Sequence, residues 1–255
     1  MEISLMLGNM KFNSGRVCAV LMAGGKGTRL KPYTTYVPKP LMPIGDLPII
    51  EVIIYQLKHY GVKDFYICIG HMAHLIQAFL GDGSRLGVNI EYSFEEQPLG
   101  TAGPIGLLKE RLLKYDSFIS MNGDVLTTLD YSRAISRHME SNAIATVCVN
   151  QRSVNIDFGV LEVGADGILM EYKEKPTLKY NVSMGINIFS CDVFDYIKVR
   201  EFLNIPDLLI NIRDSGKSVY AYEESCQWLD IGRIEDYSQA CEDFETNRRL
   251  FLPHE

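Results

Sequence analysis

The sequence predicts an α/β protein built on a doubly wound, mostly parallel sheet, with an antiparallel addition in its second half. Three observations predict it. The apolar run at residues 17–22 empties into a glycine-rich turn. Strand-like runs then alternate with amphipathic helical stripes as far as about residue 142. From residue 143 onward, strand signals follow one another with few helices between them.

After the first strand, Ile50, Ile53, Ile54 and Leu57 form a helical stripe that ends at Tyr60-Gly61, with Gly61 placed to close the helix. Residues 65–69 read as a buried strand, 72–80 as a helix and 88–94 as an alternating strand. Ile105, Leu108 and Leu112 mark one face of a further helix, and 117–121 a short buried strand. In the second half, residues 143–149, 158–163, 168–172 and 182–189 read as strands, and 193–199 and 206–212 as helices. A last helix, 235–249, packs Tyr237, Cys241 and Phe244. No linker, repeat or low-complexity segment divides the chain, so the expectation is a short N-terminal tail, 1–16, followed by one domain over 17–255.

Composition narrows the class. With 255 residues and 47% hydrophobic content the chain can bury a large core. The formal net charge is −7 with no long run of one sign, which argues against nucleic acid as the main partner and for a local basic pocket around any anionic ligand. Six cysteines are scattered, and Cys18, Cys68 and Cys148 lie in strand-like apolar runs, as buried thiols of a reducing compartment would. The first 15 residues lack the basic start and apolar run of a signal peptide or membrane span, and the expected location is the cytoplasm.

The richest stretch is Ala23-Gly24-Gly25-Lys26-Gly27-Thr28-Arg29-Leu30. A strand that ends in such a loop brings backbone N–H groups and cations to where a polyphosphate could rest. The dinucleotide fingerprint needs a third glycine where Leu30 stands, and a Walker A loop needs Ser or Thr where Gly27 follows Lys26. The plain alternative is a turn whose glycines only permit positive φ. Downstream candidates carry similar pairs of readings. Lys39 sits between Pro38 and Pro40, which are expected to hold the backbone extended under a long side chain; taken alone it reads as a surface lysine. Asp124 ends a buried strand and Asp230 precedes the last helix, where turn or capping duties are the ordinary explanation. Lys175 falls in a charge cluster at a strand end.

Taken in order, six short motifs resemble the sugar-1-phosphate nucleotidylyltransferases, the family of the GDP-mannose, dTDP-glucose and UDP-glucose pyrophosphorylases. They are the 23–30 loop, Val37-Pro38-Lys39-Pro40-Leu41, Leu99-Gly100-Thr101-Ala102-Gly103, Asn122-Gly123-Asp124, Glu174-Lys175-Pro176 and Trp228-Leu229-Asp230-Ile231-Gly232. The resemblance covers about residues 17–240 and lies nearest the GDP-mannose branch. It implies a Rossmann-like sheet with an antiparallel sugar-binding addition, a nucleotide-binding half at about 17–142 and a sugar-binding half at about 143–255. It also implies Mg²⁺-dependent transfer of a nucleoside monophosphate from an NTP to a sugar 1-phosphate.

By the same resemblance, Arg29 and Lys39 are the catalytic cations, and Ala23, Gly24, Gly25, Gly27, Thr28, Glu95, Gly100 and Thr101 hold the nucleotide. Gly159, Glu174, Lys175 and Asn187 meet the sugar phosphate, and Asp124 and Asp230 hold Mg²⁺. Glu95 stands where thymidylyl members tend to carry Gln, and a carboxylate can accept from both guanine N1–H and its N2 amine, so GTP is the expected donor, with UTP or dTTP as alternatives. Ser183-Met184-Gly185-Ile186-Asn187 departs from the family's usual Asn-x-Gly-x-Tyr, which leaves the sugar open among hexose, heptose and amino sugar. Two rival classes remain: a non-catalytic nucleotide-sugar-binding relative, and a glycosyltransferase, which would usually show Asp-x-Asp. The expected partners are the two substrates and further copies of the chain, with neither nucleic acid nor membrane.

Overall fold

An unbroken apolar run is stable as a strand only where both of its faces are covered. In the computed structural model, which describes residues 16–253, β1 (Val17–Ala23) runs through a seven-stranded sheet with helices on both sides. The expected N-terminal tail, save Arg16, lies outside the described residues.

The chain leaves β1 through the glycine loop and a small ribbon, β2 (Pro43–Ile44) with β3 (Leu47–Pro48), and enters α1 (Ile49–His59). Next come β4 (Asp64–Ile69), α2 (Ala73–Leu80), β5 (Asn89–Phe94), α3 (Gly103–Gly106), α4 (Lys109–Leu112) and β6 (Ser117–Asn122). The three-residue β7 (Val125–Thr127) leads to α5 (Tyr131–Ser141), which Asp130 caps by accepting from the N–H groups of Ser132 and Arg133 at 2.9 and 3.1 Å. The second half comprises β8 (Ala145–Asn155), β9 (Val160–Val163), β10 (Leu169–Lys173), β11 (Thr177–Ser190), α6 (Ile205–Asp214), β12 (Val219–Glu223), β13 (Trp228–Asp230) and α7 (Ile234–Phe251).

The sheet order is β12-β8-β11-β6-β1-β4-β5, and only β11 runs against its neighbours. The antiparallel strand thus extends the parallel sheet continuously. Alternation along β1 divides the core: Ala19, Leu21 and Ala23 pack with the apolar stripes of α1 and α7, whereas Cys18 and Val20 pack with Ile105, Leu108 and Leu112 and with Leu208 and Ile212 of α6. Cys18, Cys68 and Cys148 are buried thiols, as expected.

The structure corrects three expected elements. The helix over 105–112 is two single-turn pieces, broken at Leu108, whose φ of −97° and ψ of 0° leave the helical region. Residues 193–199 form no α-helix; a 3₁₀ turn covers 191–195. β8 and β11 are far longer than expected, since their outer portions form an exposed polar ribbon that carries no apolar signal.

Candidate active site

β4 and β5 lie to one side of β1 and β6 to the other, so strand order reverses beside β1, and ligand crevices form at such switch points beyond the strands' carboxyl ends. Met22 pairs with Asn122, so the glycine loop and Asn122-Gly123-Asp124 leave the sheet side by side. Between them lies a cavity of about 230 Å³ bordered by Gly25, Gly27, Thr28, Arg29, Lys39 and Asp124, with Ala23 at its floor.

Gly27 is required where it stands. Its φ is +59°, and a Cβ there would lie 2.9 Å from Thr34 Cγ2. Its carbonyl accepts from Leu30 N–H at 3.0 Å and from the Thr34 hydroxyl at 2.8 Å, which folds residues 28–30 into a 3₁₀ turn carrying Arg29. Lys39 is buried at the cavity wall. The sequence reading of an extended backbone holds for Pro38 only. Lys39 opens a 3₁₀ turn over 39–41, closed by Leu41 N–H to Pro38 O at 2.8 Å and Met42 N–H to Lys39 O at 3.0 Å.

The structure brings the two aspartates together. β7 and β13 pair antiparallel with Val125 opposite Asp230, and Ile231 N–H donates to Asp124 O at 3.1 Å. Neither carboxylate caps a helix: Asp130 serves α5, and Asp236 accepts from Arg233 N–H at 2.9 Å at the start of α7. A Cβ on Gly232 would lie 3.5 Å from the Arg29 guanidinium and 3.6 Å from the Asp230 carboxylate, so cation and acid share one corner. Asp124 Oδ2 is ion-paired to Lys39 Nζ, while its Oδ1 is buried without a hydrogen-bond partner. Asp230 shows at the crevice surface, yet crowding by protein strips enough water from it to raise its pKa above the ordinary carboxylate value. The Asp124 charge adds to this rise, and Lys39 and Arg29 oppose it.

A divalent cation fits this arrangement. Among the described residues no group of three or more acidic, His or Cys side chains gathers into a metal cage. A pair of carboxylates, one with a buried unanswered oxygen, suits a hard ion such as Mg²⁺, which keeps water and substrate phosphates for its remaining positions.

Glu95 packs against the glycine loop without bordering the cavity: its Oε1 is where a Cβ on Gly24 would press at 3.0 Å, and its Oε2 accepts from Leu99 N–H at 2.8 Å. Burial raises its pKa, against the pull of that N–H. Gly100 and Thr101 face the second half of the chain. A Cβ on Gly100 would meet Leu203 O at 2.5 Å, and the Thr101 hydroxyl accepts from Ile205 N–H at 2.9 Å.

Gly159, Glu174 and Lys175 flank the β9–β10 hairpin, outside the residues bordering the cavity. Glu174 accepts from the Tyr172 hydroxyl at 2.9 Å, Gly159 lies against that same hydroxyl, and Lys175 is exposed at φ +43°. Asn187 is buried in β11 opposite Ser120, its Oδ1 unpartnered, just past the irregularity that opens between Ser183 and Asn187.

One residue given no role by sequence reasoning matters here. Trp228 Nε1–H donates to Met184 O at 3.0 Å, and the Arg152 guanidinium lies 4.9 Å from its ring centre, so the strand bearing Asp230 is tied to that same irregular stretch. Its place in the 228–232 motif was the available signal.

A cavity lined by glycines, Arg29 and Lys39 at the switch point of a doubly wound sheet defines an α/β protein with its crevice where such folds receive their ligands. The nucleotidyl transferase family matches residues 18–247, and the chain belongs to that family. It is 35% identical over 240 residues to the UTP–glucose-1-phosphate uridylyltransferase of Synechocystis sp., across 87% of this chain and 62% of that protein. It is 30% identical over 237 residues to the mannose-1-phosphate guanylyltransferase of Mycobacterium tuberculosis, across 89% and 64%. The chain therefore spans less than two thirds of the length of these curated relatives. Among solved structures, a Bacillus anthracis protein described as a glucose-1-phosphate thymidylyltransferase and crystallised with sucrose superposes with a TM-score of 0.72 at 26% identity, over 89% of this chain and 94% of that one.

Proposed function

We propose that the chain transfers a nucleoside monophosphate from an NTP to a sugar 1-phosphate and releases pyrophosphate. The observation that carries the reading is the switch-point cavity bordered by the glycine loop, Arg29, Lys39 and Asp124, with Asp230 brought beside Asp124 by the β7–β13 pairing. In the reaction a phosphate oxygen of the sugar 1-phosphate forms a bond to the α-phosphorus as the α–β bridging bond breaks, and the bridging electrons leave with pyrophosphate. The nucleophile needs no general base, because a phosphomonoester with a second pKa of about 6 is mostly dianionic near neutrality. The obstacle is repulsion between polyanions, and fixed cations lower it. Lys39 balances charge at the α-phosphoryl group and Arg29 at the departing pyrophosphate, while the loop N–H groups orient the chain of phosphates. Asp124 and Asp230 would hold Mg²⁺, which would supply further positive charge against the phosphates.

Glu95 reads the base. GTP is the donor, with the carboxylate accepting from guanine N1–H and N2. A second reading, uracil with its single N3–H, has support in the Leu99 N–H that already engages Oε2, and in the uridylyl relative. Gly159, Glu174, Lys175 and Asn187 belong to the sugar side, and the reaction runs in the cytoplasm. Specificity constants for four NTPs, read by pyrophosphate release, test this. GTP should exceed ATP and CTP by at least about tenfold, the worth of one charged hydrogen bond, and Glu95→Gln should lower GTP use more than UTP use. A wild-type preference for UTP makes uracil the base; absence of pyrophosphate with every pairing of NTP and sugar 1-phosphate removes the enzyme reading.

A further inference from the structure

α1 buries eight of its eleven residues, and two of the eight are polar, Glu51 and Gln56. Glu51 is answered by the Arg85 guanidinium. Gln56 is 4% exposed, and its amide is used unevenly. Nε2 donates to Thr127 O at 2.7 Å and to Phe251 O at 3.0 Å, while Oε1 is buried with no partner among the described residues. An unanswered oxygen in a core is costly, and filling space does not require it. What the amide does there is join three elements: α1, β7 and the end of α7.

Those elements matter for what they carry. Thr127 ends β7, the strand that follows Asp124, and stands opposite Trp228 on the strand that ends in Asp230. The Thr127 hydroxyl donates to Gln227 O at 2.7 Å, Thr128 N–H donates to the same carbonyl at 3.0 Å, and Gln227 N–H donates to the Thr128 hydroxyl at 3.0 Å. The far end of the β7–β13 ribbon is thus latched at the residue that Gln56 holds. A ribbon of two such short strands is too small to fix its own place. The start of α1 reaches the opposite wall of the cavity: Ile49 N–H donates to Met42 O at 3.0 Å, and Met42 N–H closes the turn that bears Lys39. Ile49 and Gln56 lie about 10 Å apart along the helix axis, so α1 is a stiff spacer between the Lys39 turn and the ribbon of the two aspartates.

We propose that Gln56 is a positioning residue for the acidic pair: by holding Thr127 O against α1 it sets where Asp124 and Asp230 stand relative to Lys39, and it touches neither substrate nor metal itself. The inference rests on the reading of that pair as the Mg²⁺ ligands.

Gln56→Met keeps the volume and removes both donors. In calorimetric titration of Mg²⁺ with a non-hydrolysable NTP present, its affinity should fall at least about tenfold, the scale on which outer partners of metal ligands act, while metal-free NTP affinity stays within about twofold of wild type. Ile54→Val, a truncation in the buried face of the same helix, should lower the urea midpoint yet leave Mg²⁺ affinity unchanged, as loss of packing alone would. Wild-type Mg²⁺ affinity in Gln56→Met overturns the proposal alone where Asp124→Asn has lost it. Where Asp124→Asn also binds as wild type does, the metal reading falls and the positioning role falls with it. The wild type supplies a measurement that needs no variant. Coupling is reciprocal, so Mg²⁺ with the nucleotide must tighten the Gln56 clamp by the same factor, and exchange of the Nε2 protons, followed by NMR, should slow about tenfold beyond any slowing of the β4 amides. Equal slowing at both places, or none, overturns the proposal.

Discussion

Asp124 Oδ2 answers the Lys39 ammonium while Oδ1 stays buried and unanswered, so a single carboxylate neutralises one cation and keeps an acceptor for another. Replacing it separates these tasks. In Asp124→Asn the amide oxygen still accepts from Lys39, so the fold should survive with a loss on the order of 1–3 kcal/mol. The charge for a divalent cation is gone, and transfer should fall at least ~100-fold. Calorimetric titration of Mg²⁺ in the presence of a non-hydrolysable NTP gives the check: retention of wild-type affinity would remove Asp124 from the metal site. Arg29 and Lys39 were legible in the sequence because their context is local, a glycine loop and a proline-flanked lysine within a few turns of chain. The meeting of Asp124 with Asp230 was expected only from the family resemblance and not from the residues themselves. It depends on two three-residue strands, too short to show any alternation.

α5 rests on the sheet through His138, which is 2% exposed and has Nδ1 2.8 Å from the Thr146 hydroxyl on β8. Burial lowers its pKa from 6.5 to about 4. The folded state therefore disfavours the charged imidazole, and the stability linked to the neutral form is complete above pH 6.5 and drains away as pH falls toward 4. Between pH 7 and 4.5 this single group should account for about 2–3 kcal/mol. Urea midpoints across that range provide the measure, and in His138→Gln the slope should flatten. Elements were legible where burial was one-sided, as in α7, or nearly complete, as in α1 and β1. The outer parts of β8 and β11 escaped because a ribbon wet on both faces has no apolar period to read. The expected helix at 193–199 had the apolar residues, but Phe194 and Ile197 are used to cover the second core from a turn.

At the scale of the molecule, the loop at 99–103 fastens the first half of the chain to the second. Leu203 O accepts from Ala102 and Gly103 N–H at 2.9 and 3.0 Å, Leu203 N–H donates to Leu99 O at 2.9 Å, and Thr101 caps α6 at Ile205. Thr101→Val should lower the stability of the whole chain by about 1 kcal/mol, seen as a lower urea midpoint. A nucleotide contact by the same hydroxyl would show instead as a raised KM for the NTP. The global order of strands was legible in outline, a parallel first half and an antiparallel addition, but the insertion of β11 between β8 and β6 was not, because nothing local to β11 names its neighbours. The pairing of β7 with β13 bears on how the chain matures. Thr127 bonds to Gln227, 100 residues further on, and closing a loop of that length costs ~4 kcal/mol of chain entropy beyond a constant term. A chain emerging from the ribosome can lay down β1, β4, β5 and β6, and with them the floor of the phosphate cavity, long before residue 230 exists. The acidic pair is therefore a completion mark: it assembles only once residue 230 has been made, and a chain ended before that point would own the cradle without the pair.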